Sequence, residues 1–363
     1  MLWARDDMVK KVLVLSNMYP SARDKSYGRF VQICVEGLIE AGFDVDVVGI
    51  AKHASPFSKL LAYLRFSLSA NFRLLTRRYD CVYIHHPLHT LIASYPGVFL
   101  HAEKVALNFH GHDLIPVTRR GAYLQRLVSG YFSRAKTVIV PSEHFKRIFQ
   151  SVYTRPVGRA PRVFYSGGVS EQYFNAQSMP FMSRPPSALF LSRLVIGKGW
   201  EDFLRIARQL VDANTGMTFT VAGTGPDAER IKTEIDSMGI GQWVRVVESS
   251  TISSNLSLYD KHRYFVFPTR FDESLALVNL EAMARGCVVF SADFPTTAEY
   301  IDSGSNGYRF PLADFDRQVC AEIAGLENDP ARAADISKRA ETAAQRFRQN
   351  VIMNGLPAVL DLQ

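Results

Sequence analysis

Cysteine is scarce in this chain of 363 residues, which contains only four of them. They are widely separated and include no CxxC pair (Cys34, Cys81, Cys287 and Cys320). Zinc sites and disulfide frameworks need cysteines at short, regular spacing. The sequence therefore favours neither a structural zinc site nor a disulfide-stapled fold, and it indicates a reducing, cytoplasmic compartment.

Long hydrophobic runs are also missing. The most apolar stretch, residues 90–100, is interrupted by Ser94, Pro96 and Gly97 and falls short of the roughly 18 residues that a membrane-spanning helix needs. The first ten residues carry four charged side chains and no apolar signal core, so we expect no secretion signal. Met8 directly precedes the first strand-like run and is an alternative start of the protein.

Charge is distributed unevenly along a chain whose composition is otherwise that of a globular protein. Residues 1–180 contain 23 Lys/Arg and 12 Asp/Glu, a net charge of +11, whereas residues 181–363 contain 19 and 23, a net charge of −4. A basic half indicates an anionic partner, such as a membrane surface, a nucleic acid or a phosphorylated acceptor. Because no nucleic-acid-binding signature accompanies the charge, we expect no nucleic-acid partner.

Short apolar runs alternate with stretches of helical length in both halves of the chain. Strand candidates in the first half are residues 11–16, 45–49, 81–84, 105–109, 137–140 and 162–165. Those in the second half are residues 188–191, 218–222, 244–247, 264–267 and 288–291. Continuous β-branched runs of this kind are typical of parallel strands that helices cover on both faces. The pattern predicts an α/β protein with two doubly wound, Rossmann-like domains.

We predict an N-terminal domain at residues 1–174, a linker at 175–187, a C-terminal domain at 188–343 and a terminal helical segment at 344–363. The linker is expected because it contains three prolines and little periodicity. The terminal segment packs locally or crosses back to the N-terminal domain, and the sequence leaves both alternatives open. Ligands of doubly wound sheets bind beyond the carboxyl ends of the strands, so the two domains are expected to face each other across a cleft.

Two cations follow the first strand of the second half. Arg193 and Lys198 suit a diphosphate, because arginine can donate to two oxygens at once and lysine supplies a compact charge. At the end of the next strand, Gly223 and Gly225 allow a tight turn and close backbone approach to a ligand. A solvated surface loop and an ordinary strand-to-helix turn are the alternative interpretations.

The most informative stretch runs from Pro268 to Ala284. A strand ends at Pro268, a loop carries Glu273, and an apolar helix that contains Glu281 follows. The free N–H groups at the start of that helix suit a phosphate. Glu281, one or two turns further on, could accept hydrogen bonds from both hydroxyls of a ribose. The alternative is an ordinary helix whose acidic N-terminal residue interacts with the helix dipole.

Taken in order, these motifs resemble glycosyltransferase family 4, the retaining group of glycosyl transferases group 1 with the GT-B fold. The motifs in the second half are Arg193…Lys198-Gly199, Gly223-Thr224-Gly225-Pro226, Glu273-x7-Glu281-Ala-Met-Ala and Ser305-Asn306-Gly307. Those in the first half are Gly28-Arg29-Phe30-Val31, Asn108-Phe109-His110-Gly111-His112-Asp113, Val138-Ile139-Val140-Pro141-Ser142 and Tyr165-Ser166-Gly167-Gly168-Val169-Ser170. The resemblance covers nearly the whole chain.

The resemblance implies a metal-independent enzyme without a cofactor, which moves a sugar from a UDP- or GDP-sugar to a polysaccharide or lipid-linked glycan with retention of configuration. Its catalytic residues would be His110, Glu273, Arg193 and Lys198, and its donor-binding residues would be Gly28, Arg193, Lys198, Gly223, Leu277, Val278 and Glu281. Glu273 would contact sugar hydroxyls, and His110 would position the sugar. A sugar-nucleotide epimerase of related fold and a non-catalytic scaffold are the alternatives.

Three departures from the family pattern concern substrate recognition. The usual Gly-Phe-Gly after the first glutamate is Ser274-Leu275-Ala276, and we expect these larger side chains to narrow the sugar pocket. The usual Asn-Gly-Val-Asp is Gly167-Gly168-Val169-Ser170, which lacks the carboxylate. Glu248-Ser249-Ser250 follows a strand where the family has a glycine, so base recognition is expected to differ.

Histidines cluster in two places, His85-His86-Pro87-Leu88-His89 and His110-Gly111-His112. A zinc site would need three or four ligands at suitable spacing, and no HExxH motif or cysteine pair supports one. We therefore predict no metal site and place these histidines near the acceptor.

Residues 56–78 show helical periodicity. One face is apolar, with Phe57, Leu60, Leu61, Leu64, Leu68, Phe72 and Leu75. The opposite face carries Lys59, Arg73 and Arg77 with Tyr63 and Phe66 among them. Two interpretations stay open: a core helix with a solvated basic back, or a helix whose basic, aromatic face lies on anionic lipid at the inner side of the cytoplasmic membrane.

Overall fold

The computed structural model describes residues 9–111, 113–115, 118–153, 160–175 and 178–363. They form two compact units. The first comprises the described residues up to Gly168 together with Asn350–Gln363, and the second comprises Val169–Gln349. Met8, His112 and residues 176–177 of the expected linker lie outside the described residues.

Each unit is built on a six-stranded sheet in which every pairing between neighbouring strands is parallel. The first sheet contains β1 (Lys11–Ser16), β2 (Asp44–Gly49), β3 (Cys81–His85), β4 (Val105–Asn108), β5 (Thr137–Val140) and β6 (Arg162–Val163), in the order β2-β1-β3-β4-β5-β6. The chain passes from β1 to one neighbour, β2, and then returns to the other side of β1 to form β3. The topological switch point therefore lies between β1 and β3.

The second sheet repeats this architecture. It contains β7 (Ser187–Leu191), β8 (Thr218–Ala222), β9 (Val244–Val247), β10 (Tyr264–Phe267), β11 (Val288–Ala292) and β12 (Tyr308–Phe310), in the order β12-β11-β10-β7-β8-β9. Its switch point lies between β7 and β10. The predicted fold class, two doubly wound α/β domains, is confirmed, and β12 is a strand that the sequence pattern did not predict.

Helices connect the strands. The first unit holds α1 (Arg29–Glu40), α2 (Pro56–Thr76), α3 (Pro87–Ser94), α4 (Gly97–Leu100), α5 (Arg119–Phe132) and α6 (Glu143–Val152). The second holds α7 (Gln172–Asn175), α8 (Trp200–Asp212), α9 (Ala228–Ser237), α10 (Ile252–Lys261), α11 (Leu277–Ala284), α12 (Phe315–Asn328) and α13 (Pro330–Ala344). The chain ends with α14 (Gln349–Asn354) and α15 (Leu356–Val359).

The end of the chain belongs to the first unit. Leu356 and Leu360 are fully buried in the cluster that packs one face of the first sheet. Arg162 donates to the Asp361 carboxylate at 2.7 Å and to the carbonyl oxygens of Ala358 and Val359. Of the two alternatives that the sequence left open for residues 344–363, the structure shows the return to the N-terminal unit for Asn350 onward.

The boundary between the units differs from the expected linker at 175–187. The chain enters and leaves the second unit side by side, because the Val169 N–H donates to the Phe347 carbonyl and the Gln349 N–H donates to the Val169 carbonyl. Arg184, inside the expected linker, is 2% exposed and donates to the carbonyl oxygens of His262 and Arg285. Prolines there interrupt regular structure, but the segment still packs into the second unit.

The buried face of helix α2 is the opposite of the one that the core-helix interpretation expects. Its buried residues are Phe66, Ala70 and Leu74. The seven apolar residues that were expected to form a core face are all exposed, and we call them the exposed stripe of α2 (Phe57, Leu60, Leu61, Leu64, Leu68, Phe72 and Leu75). Within the described residues, no helix is long and apolar enough to cross a membrane.

Candidate functional site

The loops at the carboxyl ends of β7 and β8 are joined by backbone hydrogen bonds. The Ser192 N–H donates to the Ala222 carbonyl at 3.1 Å, and the Leu194 N–H donates to the Thr224 carbonyl at 2.9 Å. Gly223 has φ +140°, and a Cβ there would lie 1.8 Å from the Ser192 carbonyl oxygen. Glycine is therefore required, and the contact fixes the loop that presents Arg193, an exposed side chain at this edge of the sheet.

The loop after β10 meets the loop after β7 across the switch point. Gly199 has φ +90°, and a Cβ there would lie 2.2 Å from the Pro268 carbonyl oxygen. The Arg270 N–H donates to the Gly197 carbonyl at 2.8 Å, which ties the two loops together. Both loops are thus held at the place where doubly wound folds bind their ligands.

Lys198 and Glu273 form an ion pair between these two loops. The Lys198 Nζ lies 2.5 Å from the Glu273 Oε1, and both side chains are mostly buried, at 16% and 20% exposure. The Thr269 hydroxyl donates to the same carboxylate oxygen at 3.1 Å. The ammonium also lies 5.2 Å from the centre of the Phe271 ring. Two residues that the sequence assigned to separate parts of a donor are therefore in direct contact.

Helix α11 begins next to this ion pair. Its N-cap is Ala276, with φ 54° and ψ 59°, a left-handed conformation that residues other than glycine adopt at a cost. Leu277 and Val278 form the first turn and are half-buried. The N–H groups of a helix's first turn have no partner within the helix and carry partial positive charge, so they can bind a phosphate.

Glu281 lies one turn further along α11 in a polar pocket of the second unit. The Tyr259 hydroxyl donates to its Oε2 at 3.1 Å, and Tyr173 is a second hydrogen-bonding neighbour. Burial raises the pKa of Glu281 to about 7, and the hydrogen bonds from the two tyrosines oppose that rise. Glu281 is thus a carboxyl group poised to change protonation near neutral pH.

Three histidines of the first unit, His85, His86 and His110, cluster beyond β3 and β4. The Nδ1 of His85 lies 3.0 Å from the Nε2 of His110, and the His86 ring lies 4.5 Å from the His110 ring. Phe30, at the start of α1, contacts the His110 ring at 4.5 Å. Burial, followed by the neighbouring His86 and His85, lowers the pKa of His110 well below its usual value. His110 is therefore a neutral hydrogen-bonding group at physiological pH.

Gly28 and Asp113 hold this cluster in place. Gly28 has φ +76°, and a Cβ there would lie 2.5 Å from the Met18 carbonyl oxygen, so only glycine fits between β1 and α1. The buried Asp113 carboxylate accepts from the His110 backbone N–H at 2.8 Å and lies 3.5 Å from the Nδ1 of His86. In the described part of the chain, no group of three or more His, Cys, Asp or Glu side chains is arranged to hold a metal ion.

Comparisons with known proteins agree with this geometry. Residues 174–343, nearly the whole second unit, match the model of the family described as glycosyl transferases group 1. The second unit is a glycosyl transferases group 1 domain. Its ion pair, glycine contacts and α11 all lie within the matched residues.

Relatives of known sequence and structure resemble larger parts of the chain. The putative colanic acid biosynthesis glycosyltransferase WcaL of Salmonella typhimurium is 24% identical over 200 residues, or 53% of this chain and 49% of that protein. The chain thus matches about half the length of this relative. Anabaena Alr3699/HepE, solved with UDP and glucose, has a TM-score of 0.73 at 17% identity, over 98% of this chain and 100% of that one. Sucrose-phosphate synthase from Thermosynechococcus elongatus has a TM-score of 0.74 at 16% identity, over 96% and 98%. These likenesses confirm the GT-B fold.

One expectation about the departures from the family changes once the domain is described. Leu275 and Ala276 are buried, at 1% and 6% exposure, and the Leu275 carbonyl accepts from the Tyr300 hydroxyl at 3.0 Å. Among Ser274, Leu275 and Ala276, only Ser274 is half-exposed. Only the Ser274 side chain can therefore narrow the sugar pocket as expected. Asn306 of the Ser305-Asn306-Gly307 motif closes a turn, because it accepts from the Asp302 N–H and donates to the Tyr300 carbonyl.

Sequence reasoning missed several residues of the glycosyl transferases group 1 domain. Thr269 and Tyr259 contact the two glutamates, but a threonine and a tyrosine carry no motif of their own. Ser249, which replaces part of the expected glycine turn after β9, is buried and donates to the Asn255 side-chain oxygen at 2.7 Å. Its neighbour Glu248 is exposed at the carboxyl end of β9. Only three-dimensional contacts identify Thr269 and Tyr259, whereas the sequence already marked residues 248–250 as a departure from the family pattern.

Proposed function

We propose that this protein is a retaining glycosyltransferase that moves a sugar from a UDP- or GDP-sugar to a glycan or lipid-linked acceptor without a metal ion. The observation that carries the proposal is the ion pair between Lys198 and Glu273, which lies at the switch point of the second sheet beside the first turn of α11. The solved structures of Alr3699/HepE with UDP and with UDP-glucose support a UDP-sugar as donor for this fold.

The donor separates the ion pair when it binds. The Lys198 ammonium, the Arg193 guanidinium and the N–H groups of Leu277 and Val278 bind the diphosphate of the donor. Glu273 then accepts hydrogen bonds from hydroxyls of the sugar. Negative charge grows on the diphosphate as its bond to the sugar breaks, so fixed donors at these positions lower the barrier. They supply the charge that a metal ion provides in other phosphate sites, which is the basis for proposing metal independence.

Retention follows if the acceptor enters on the side of the leaving group. The Thr269 hydroxyl donates to Glu273, so this hydrogen bond keeps the carboxylate oriented after Lys198 has moved to the diphosphate, and Glu273 serves as a hydrogen-bond acceptor for the sugar. The departing phosphate oxygen, which gains charge in the transition state, takes the proton of the acceptor hydroxyl. The carboxylate need not attack the sugar, in contrast to glycosidases that form a covalent intermediate.

Two further parts of the chain support this activity. His110 is neutral, so it positions a sugar by a hydrogen bond and carries no charge of its own. Gly28, which fixes the loop after β1, keeps the backbone open at the same edge of the first sheet.

The four free thiols support a reducing, cytoplasmic location. The name of one relative places that protein in colanic acid biosynthesis, which supports a role in polysaccharide or cell-envelope assembly.

Calorimetric titration of the purified protein with UDP-glucose, UDP-N-acetylglucosamine and GDP-mannose tests the donor site, in the presence and absence of EDTA. We expect one of the UDP- or GDP-sugars to bind, and the affinity to be unchanged by EDTA. Lys198→Ala should weaken binding by about tenfold or more, since it removes a charge from the diphosphate. Lys232→Ala, an exposed lysine on α9 of the same unit, is the matched control.

Reaction products distinguish this proposal from its alternatives. NMR of the product formed with an acceptor should show the anomeric configuration of the donor, and an inverted product would refute retention. Conversion of the donor to its epimer without an acceptor would indicate an epimerase. Donor binding without turnover toward any offered glycan or polyprenyl-phosphate acceptor would indicate a scaffold, and loss of binding in EDTA would refute metal independence.

A further inference from the structure

The exposed stripe of α2 is an unusual surface for a helix of a globular domain. Phe57 and Leu68 are 78% and 74% exposed, and the other five members lie between 40% and 63%. At 100° per residue, the seven side chains occupy about one third of the helix circumference. Seven large apolar side chains that line one face of a 21-residue helix form a contiguous patch, which is typical of an interaction surface.

Helix α2 is firmly fixed to the first unit, so the stripe is not a consequence of a loosely attached helix. Phe66, Ala70 and Leu74 are at most 3% exposed and belong to the core of that unit. The Ser55 side chain caps the helix by accepting from the Ser58 N–H, and Pro56 occupies the first turn. The stripe is therefore presented on a rigid support.

The sequence of the α2 segment carries charge of one sign. Between Asp46 and Asp80 the sequence contains six Lys/Arg and no Asp or Glu. Lys59, Arg65 and Arg78 are exposed. Arg65 follows Leu64 and projects beside the stripe. Arg77 of this run pairs with Asp46 at 2.8 Å. An apolar face flanked by Arg65, with Arg78 just past the end of the helix, is complementary to a surface that is apolar inside and anionic outside, which is the interface of an anionic bilayer.

A second group of exposed apolar residues adjoins α2. Asn71, at the margin of the stripe, donates to the Tyr95 carbonyl at 3.3 Å and accepts from the Gly97 N–H at 2.8 Å. Tyr95 and Leu100, in this adjoining segment, are 59% and 60% exposed. An open apolar groove of about 520 Å³ lies between α3, α4 and α5, and Tyr95 contributes to its lining. Tyrosine prefers the boundary between water and hydrocarbon, which suits this edge of the patch.

We propose that the first unit docks on an anionic membrane surface through the exposed stripe of α2, with Arg65 and Arg78 contacting lipid phosphates. The apolar face enters the boundary between headgroups and acyl chains, and the opposite face, which includes Phe66, stays packed against the sheet. This reverses the orientation that the sequence alone suggested for a membrane-bound helix. The inference does not depend on the proposed function, because it concerns a surface of the first unit and not the donor site.

Flotation of the full chain with lipid vesicles, in the absence of any donor, tests the proposal. We expect binding to vesicles of phosphatidylcholine with phosphatidylglycerol and at least about fivefold weaker binding to phosphatidylcholine alone. Leu64→Ser/Leu68→Ser should weaken binding to the anionic vesicles by about tenfold or more, since it removes two apolar side chains from the inserted face. Arg65→Gln/Arg78→Gln should weaken it by about tenfold.

Ile39→Ser/Val152→Ser is the matched control, since it removes two exposed apolar side chains elsewhere in the first unit and should leave flotation unchanged. Thermal unfolding checks that each variant is folded, and the replaced side chains are all exposed. Flotation that is equal for the wild type and for both α2 variants would overturn the proposal. So would sedimentation of the wild type as a dimer that Leu64→Ser/Leu68→Ser converts to a monomer, because the stripe would then cover a second copy of the chain.

Discussion

The protonation of Glu281 should control how tightly the protein binds its donor. Burial raises the pKa of this carboxyl group to about 7, so it is partly protonated at neutral pH. The two hydroxyls of a ribose can both donate to the carboxylate, whereas the protonated acid offers one acceptor fewer and competes as a donor. Binding of a nucleotide sugar therefore favours the ionised form, and it releases a proton whenever the carboxyl group was protonated beforehand.

The size of the effect follows from the pKa. With a pKa of about 7, about one tenth of the Glu281 side chains are ionised at pH 6 and about nine tenths at pH 8. If only the ionised form binds ribose well, donor affinity should rise by about tenfold between these two pH values. The sole histidine in the sequence of the second unit, His262, does not contribute, because burial lowers its pKa to about 4.

Isothermal titration calorimetry with UDP-glucose measures both effects. UDP-glucose is preferred to UDP because its diphosphate has no terminal phosphate group that titrates in this range. Titrations at pH 6, 7 and 8, each in two buffers of different ionisation enthalpy, give the affinity and the number of protons released. Glu281→Gln should bind more weakly at pH 8 and show no dependence of affinity on pH. An affinity that does not change with pH in the wild type, or that changes equally in Glu281→Gln, would refute the assignment of Glu281 to the ribose.

Three further predictions concern stability. The folded protein holds the Glu281 proton more tightly than the unfolded chain, so this group favours folding below pH 4.5 and the contribution is lost as pH rises to about 7. Glu281→Gln should therefore raise the free energy of unfolding at pH 8 by up to about 3 kcal/mol and leave it unchanged at pH 4. Urea denaturation at the two pH values measures both. Ala276→Gly should raise the free energy of unfolding by about 1 kcal/mol, because Ala276 has φ 54°, a left-handed conformation that glycine adopts without strain. Ala282→Gly, within the regular part of α11, should lower the free energy of unfolding instead. A loss of stability in Ala276→Gly would show that Ala276 is not strained. Gly223→Ala should lower the melting temperature and weaken UDP-glucose binding by at least about tenfold, because its Cβ would collide with the Ser192 carbonyl oxygen. Gly216→Ala, also at positive φ but in open space, should lower the free energy of unfolding by only about 1 kcal/mol. Equal effects of the two substitutions would exclude the collision as the cause.

The fold could be predicted from the sequence because buried parallel strands leave a simple signal. Runs such as residues 137–140 and 264–267 consist of β-branched and aromatic residues, and every residue of both is buried in the structure. The strand β12 escaped because Tyr308–Phe310 is short and interrupted by Arg309. The unit boundary was placed too late because prolines mark breaks in regular structure and do not reveal whether a segment is packed. Arg184 shows the difference, since its guanidinium is buried among carbonyl oxygens of the second unit.

For the donor site, the sequence could supply the residues but not their contacts. Arg193, Lys198, Glu273 and Glu281 follow strands whose carboxyl ends share one edge of a sheet, so their proximity could be inferred from topology. The direct ion pair between Lys198 and Glu273 could not be inferred in this way, because it depends on β7 and β10 being neighbours across the switch point. The neutral state of His110 likewise depends on its burial and then on His86 and His85, which come from the end of a different strand.

Helix α2 shows why amphipathic periodicity alone does not orient a helix. The pattern of Phe57, Leu64 and Phe72 shows that one face is apolar, and the usual assumption is that such a face packs on the core. Helix α2 follows β2, an edge strand, and the sheet is already covered there by the opposite face through Phe66 and its buried neighbours. That face, read as basic and aromatic from the sequence, buries its rings while its long cationic side chains reach solvent. The apolar face is therefore left exposed at a hydrophobic cost. A covering surface that is apolar inside and anionic outside would remove that cost and would suit Arg65 beside the face.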